Sequence, residues 1–196
     1  MVNYRYSLQE TSQPAVLPLA VADVKTYLRV DHNNDDSLIE TLIEAATKLC
    51  EQATGLSLIN RDISLYMDSW DNEILPLPSA PIVAVEAIKI YSSETVSNVY
   101  LASNYYVDNK NLYSPRIVLK SGPVIPLAGI DVNGIEIQYT AGFGTSGEDV
   151  PALLKQGILQ VVAYLYENRG DSQNNALRNS GANAIFQSYR KASIVL

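Results

Sequence analysis

The 196-residue sequence has one cysteine, one histidine and a shortage of positive charge. A lone Cys50 rules out an internal disulfide framework and says little about compartment. Its place on an apolar helical face predicts a buried thiol. His32 is the only histidine, and no cysteine, serine or acid pairs with it by spacing, so it reads as an exposed loop residue. No apolar run is long enough to span a bilayer. Residues 1–20 are polar and broken by Pro14 and Pro18, which does not suit a signal peptide. Lys and Arg number 14 against 21 Asp and Glu, a net charge of −7. That argues against a nucleic-acid-binding surface spread over the whole body. The charge is uneven. From Gly170 onward Arg178, Arg190 and Lys191 face only Asp171, a balance of +2, which leaves −9 for the residues before.

What is present centres on residues 135–169. Ile135, Ile137 and Tyr139 alternate with Glu136, Gln138 and Thr140, which predicts a strand. A glycine-rich loop follows, from Gly142 to Gly147. Pro151 suits a first helical turn, where its missing N–H would be unpaired anyway. Leu154, Ile158, Val161, Val162 and Leu165 then form one apolar stripe, and Asn168 and Gly170 supply a stop. The loop matches G-x-G-x-x-G between strand and helix, the setting of a dinucleotide fingerprint. Three features oppose that reading. The helix starts after the last glycine. Glu148 and Asp149 stand where a pyrophosphate needs bare N–H groups. No strand follows to carry a ribose-binding acid. The expectation is a flexible turn and no cofactor.

Elsewhere the period marks further elements. Tyr4, Tyr6 and Leu8 alternate in an N-terminal arm (1–18), suited to a strand added to a neighbour's sheet edge or to a disordered leader. Residues 19–30 read as a short helix with Val21, Val24, Tyr27 and Leu28 on one side. Asp31, Asn33 and Asp35 fall at the first EF-hand positions. However, Asp36 replaces the required Gly and Leu42 the required Glu, so no metal site is expected. The loop suits a helix entrance instead, with Ser37 to Glu40 as a capping box. Leu38, Ile39, Leu42, Ile43, Ala46, Leu49, Cys50 and Ala53 make a second long helix, closed by Gly55. Between Arg61 and Tyr139 the period is two. Strands are expected at 61–67, 82–91, 99–107, 116–120 and from 135, with Asn133-Gly134 as a turn. The prolines at 76 and 78 bar Ile74 to Pro78 from a central strand. Tyr91, Tyr100, Tyr105, Tyr106 and Tyr113 suit stacking on sugars or bases, or the covering of sheet faces and subunit contacts.

These elements predict an α+β chain. Its core is a helical bundle (helices near 20–30, 37–54 and 151–169) formed by 19–58 with 142–170. A small antiparallel β module is inserted at 59–141. Leu42, Ile43, Leu49, Ile158, Val161 and Leu165 are expected to be buried together where the two long helices pack. An extended tail, 171–196, completes the chain. Residues 171–182 are polar and Gly/Asn-rich and read as a disordered tether. Ile185, Phe186 and Tyr189 lie within one helical turn, Arg190 and Lys191 follow, and Ile194, Val195 and Leu196 close the chain. Such residues at a free end suggest a docking peptide.

The order of motifs resembles the head–tail connector (adaptor) proteins of tailed bacteriophages and gene-transfer particles. The pieces are Leu28-Arg29-Val30-Asp31, then DDSLIETLIEAATKLCEQATG and LPLPSAPIVAVEAIKIY. Tyr105 to Asp108, YTAGFG, DVPALLKQGILQVVAYLYENR and the closing SYRK follow. The resemblance covers nearly the whole chain. Two departures are Ala20, where a Ser or Thr cap is expected, and Gly157 inside the long helix. The resemblance implies a structural virion protein without catalysis or cofactor. It implies a ring, usually of twelve copies, beneath the portal, continuing the DNA channel and offering a platform to stopper and tail proteins. It also implies that the C-terminal segment reaches the portal, and that DNA passes without specific binding and no membrane is involved. Two alternatives stand beside it. One is another virion component, such as a tail-completion or baseplate protein with a carbohydrate-facing β module. The other is a small hydrolase using Asp31, Asp35 or Asp68.

Overall fold

The structure, a computed structural model, describes residues 6–70, 72–122 and 125–190. The chain is α+β and divides into two units. One comprises residues up to Gln13 with Asn60–Gly142, the other Pro14–Ile59 with the chain from Phe143 onward.

Among the described residues the first unit holds eight strands: β1 (Tyr6–Glu10), β2 (Arg61–Met67), β3 (Ile74–Pro76), β4 (Ile82–Ser93), β5 (Val96–Val99), β6 (Tyr105–Asp108), β7 (Arg116–Leu119) and β8 (Ile135–Ala141). They form a five-stranded sheet, ordered β1-β2-β8-β4-β5, and a three-stranded sheet, ordered β3-β7-β6. All the pairings are antiparallel. The central pair is in register, Leu65 opposite Ile137 and Ile63 opposite Tyr139. Alternation therefore turns Ile63, Leu65, Met67, Ile135, Ile137 and Tyr139 to one face. There they share a core with Leu75, Ile117 and Leu119 of the smaller sheet. The proline-bearing β3 lies at an edge, where its missing N–H costs nothing. Two expectations are corrected. The arm's strand pairs with β2 of its own chain rather than with a neighbour. The segment expected as one strand over 99–107 is broken by a 3-10 turn at Ala102–Asn104 into the end of β5 and β6.

The second unit holds α1 (Val21–Leu28), α2 (Asp36–Thr54), α3 (Ala152–Glu167), α4 (Gln173–Asn179) and α5 (Ala182–Tyr189). Ala20 sits at the α1 N-cap and its side chain makes no cap bond, as its type dictates. α1 ends at Arg29 in the left-handed region, φ 60°. α2 ends at Gly55, φ 74°, where a glycine avoids the Cβ strain. The long helices α2 and α3 pack on each other. Ile43, Leu49, Ile158 and Val161 are buried. Leu42 and Leu165 are only half-buried, a correction, because they sit at the margins of their stripes.

The reading of 171–182 as a disordered tether is also corrected. Ser172 caps α4 by accepting the Asn175 N–H at 3.3 Å. Asp171 accepts from Tyr164 Oη at 2.6 Å and from Asn175 Nδ2 at 2.8 Å. Ala176, Ala182 and Phe186 are fully buried. The local composition is too polar to order itself, but α3 supplies the apolar surface it lacks. Gly157 is the seat. A Cβ there would stand 2.5 Å from Phe186 Cε1, so the ring lies directly on the α3 backbone. Among the described residues no helix is long and apolar enough to cross a membrane.

Candidate interaction surfaces

The glycine-rich loop is filled by its own carboxylate. Asp149 Oδ2 accepts the Ser146 N–H at 3.0 Å and the Ser146 hydroxyl at 3.1 Å. Ser146 and Asp149 form the capping box of a 3-10 turn, Gly147–Asp149, that precedes α3. Gly144 is required because a Cβ there would collide with Asp149 Cγ at 2.3 Å. The loop thus places an anion where a phosphate would have to sit. The box expected at Ser37 and Glu40 does not form. The α2 N-cap is Asp35, and no side chain caps it.

The Asp31–Asp36 loop is held by a lysine. Lys25 Nζ donates to Asn33 Oδ1 at 2.6 Å and pairs with Asp36 Oδ1 at 2.7 Å, joining α1 to the α2 entrance. Asp35 accepts from Tyr166 Oη of α3 and lies 3.8 Å from Arg169. Asp31 and His32 are exposed. Among the described residues no group of three or more His, Cys, Asp or Glu is arranged to hold a metal. Asp68, in the sheet unit, accepts the Asn133 N–H at 3.0 Å and pins the turn into β8.

Sequence reasoning missed the centre of the large sheet's other face. Glu136 is only 3% exposed. It accepts from Ser64 Oγ (3.1 Å), Gln138 Nε2 (2.7 Å) and Tyr91 Oη (2.7 Å), and more weakly from Tyr66 Oη. Lys89 Nζ lies 3.4 Å away. Burial pushes its carboxyl up. The hydrogen bonds of Tyr91, Gln138 and Ser64, with the Lys89 charge, outweigh that and hold it below the usual range. The bond to Glu136, then burial, pushes the Tyr91 hydroxyl up to about 12. Alternation placed Glu136 away from the core, but all its partners except Gln138 come from β2 and β4, far along the chain. No local signal marks it.

Other tyrosines considered for stacking are also engaged within the unit. Tyr100 stacks on the buried Tyr105 with ring centroids 6.3 Å apart, and Trp70 tilts against Tyr100 at 6.2 Å. Lys120 Nζ sits 4.6 Å over the exposed Tyr106 ring.

The docking residues expected in the tail divide into three sets. Phe186 is buried, and Ile185 and Tyr189 are half-buried in α5. Their helix packs on α3 and α2. Arg190, at its C-cap, is exposed. Lys191, Ile194, Val195 and Leu196 lie outside the described residues. Exposed apolar side chains are found on both edges of the large sheet, as they are elsewhere on the surface. Tyr6 and Leu8 stand on β1, and Val96, Val99 and Leu101 on and just after β5. Open edges with apolar side chains are ready for protein partners.

A family model described as "Head completion protein" matches residues 19–193. No curated protein matches the chain. Three solved structures contain similar chains, each match covering 96% of this chain and 97% of the other. One is the neck of an empty gene transfer agent (GTA) particle computed with C6 symmetry, at 24% identity and TM-score 0.81. Another is the virion of a native GTA particle, at 25% and 0.81. A third is the neck of a native GTA particle computed with C12 symmetry, at 25% and 0.77. The resemblance drawn from motif order points the same way. The chain therefore belongs to the head completion protein family, as a structural head–tail connector protein of the virion.

Proposed function

We propose that the protein forms a cyclic ring, of twelve copies, between the portal and the tail-side neck protein. There it extends the DNA channel and gives the tail a platform. The observation that carries this reading is the likeness, along nearly the whole chain, to a component of necks computed with sixfold and twelvefold symmetry. A ring needs a heterologous contact, with different patches meeting on neighbouring copies. The two apolar edges of the large sheet are different patches of that kind. The −9 balance before Gly170 suits a channel wall that repels the duplex and lets it slide. The role is structural. Of the acids considered for a hydrolase, Asp35 and Asp68 each hold an element in place, and Asp31 is exposed on its loop. The test is inactivation of the gene in a producing host. Filled heads and separate tails that fail to join are expected. Tailed particles in normal number would contradict the proposal.

A further inference from the structure

In the helical unit, residues 14–21 run as a strap that meets the turn before α3. The approach is close, since a Cβ on Gly147 would stand 2.7 Å from the Pro18 carbonyl oxygen. Strap, α1, α2 and α3 line a groove of about 630 Å³, and every residue of that lining belongs to the helical unit. Val16 and Leu17 give it an apolar side, and Val16 is 44% exposed. Asp23, Glu40, Glu44 and Glu148 give it an acidic rim. Against them the lining sets Lys155, which already lies 3.8 Å from Glu148. Glu40 and Glu44 are exposed at i and i+4 on α2, so their like charges repel until a cation comes between them. A groove of this kind selects a segment that is both cationic and apolar.

The sheet unit carries one, the hairpin of β6 and β7. Residues 106–120 hold Lys110, Arg116 and Lys120 against Asp108, a balance of +2 in a chain of net charge −7. Asp108 and Arg116 are opposed across the strands and pair at 2.9 Å, which closes the neck of the loop. Within the loop Asp108 Oδ1 accepts the Lys110 N–H at 3.4 Å. Asn111 Oδ1 accepts the Tyr113 N–H at 3.1 Å, and the Asn111 carbonyl accepts the Ser114 N–H at 3.1 Å. Leu112 is 51% exposed on this braced loop, with Asn109, Lys110 and Asn111 exposed beside it. An apolar residue held out on an ordered loop suits insertion, because little ordering cost remains to be met on binding. With Arg116 taken by Asp108, Lys110 at the tip and Lys120 at the base carry the net positive charge.

We propose that the groove takes the β6–β7 hairpin of a neighbouring copy, with Leu112 against the strap and Lys110 on the acidic rim. Charge complementarity and the braced apolar tip argue for this occupant. Like the two sheet edges, groove and hairpin are unlike patches, so their union is the head-to-tail contact that can close a ring. It leaves the segment after α5 to the portal docking that the family resemblance implies. That the second copy is a ring neighbour rests on the proposed function, and the fit of hairpin to groove does not.

The test uses the full chain in assembled particles. Cys50 is fully buried, so cysteines placed at exposed positions react selectively. Particles carrying V16C with L112C, treated with a short bismaleimide, should give a ladder of covalent multimers of this chain on a denaturing gel. Particles carrying either substitution alone should not. Single copies only, in particles whose images show the ring, would overturn the hairpin contact and leave the ring reading intact. A ladder without a ring in the images would uphold the contact and overturn the ring reading. Charge supplies a second arm. Reversal of the rim (E40K with E44K) should cut the number of tailed particles by about tenfold or more, and so should reversal of the hairpin (K110E with K120E). The two reversals together should restore it. Normal numbers with either reversal alone, or no recovery with both, would overturn the pairing. The crosslink decides should a reversal disturb folding.

Discussion

Phe186→Ala should destabilise the helical unit by about 3–5 kcal/mol, the range for emptying a buried aromatic site. The side chain is fully buried, and its ring lies on bare backbone at Gly157, so collapse cannot refill the space cheaply. Against a typical domain stability of about 5–15 kcal/mol the loss is large. The contact also makes a coupling prediction. In the natural protein Gly157→Ala gains about 1 kcal/mol of helix preference. It also drives a methyl to 2.5 Å from Phe186 Cε1, and overpacking costs about 1–3 kcal/mol. The net effect should be neutral or destabilising. With Phe186 already alanine, the methyl enters the vacated space and Gly157→Ala should stabilise by about 1 kcal/mol or more. The change of sign marks direct contact. Urea unfolding followed by far-ultraviolet circular dichroism reads all four variants, with the slope checked for constancy. A Phe186→Ala midpoint equal to the natural protein's, or Gly157→Ala effects that simply add, would show that α5 is not packed where the structure has it.

Further outcomes follow from the same contacts. Glu136 is held below its ordinary 4.5 when folded, so it contributes stability above that value and loses it as pH falls through the folded value. Melting of the natural protein should fall more steeply on acidification than that of Glu136→Gln, which should itself be about 1.5–3 kcal/mol less stable at neutral pH. Parallel curves would refute this. In the same variant Tyr91 should titrate well below about 12, as followed by tyrosinate absorbance. Burial first, then the charge of Glu51, pushes the Cys50 thiol up to about 12, so a thiol reagent should label it only on unfolding. Rapid labelling of the native chain would contradict the packing. The full chain should show no appreciable duplex DNA binding at physiological salt, and a micromolar, salt-sensitive complex would count against a sliding channel.

Much of the fold was legible because periodicity is local. Gly55, Pro151 and the stripe from Ile39 to Cys50 mark α2 and α3 within a residue or two. Asn133 takes φ 53°, the left-handed value its turn requires. The failures share a cause, which is that the deciding partner lies elsewhere in the chain. Residues 171–182 read as a disordered tether because the surface that orders them lies on α3. Gly157 reads as a mere cost to α3 until Phe186 is placed on it. Glu136 reads as surface until Tyr91 and Ser64 close over it. β1 reads as an arm for a neighbour because nothing in Tyr6 to Glu10 names β2 as its mate. The sequence around Ser37 has the pattern of a capping box, yet the box forms at Ser146, inside a loop whose glycine spacing matches a phosphate-binding fingerprint.

The central claim is a ring of this chain at the junction of head and tail. Purified particles carrying a small density tag on the β4–β5 hairpin, averaged around the neck axis, test it most directly. The account predicts a circle of tag densities directly beneath the portal, one per copy and twelve in all by the resemblance and the C12 neck likeness. Tags on the tail tip or baseplate, or a single tag off the axis, would contradict it.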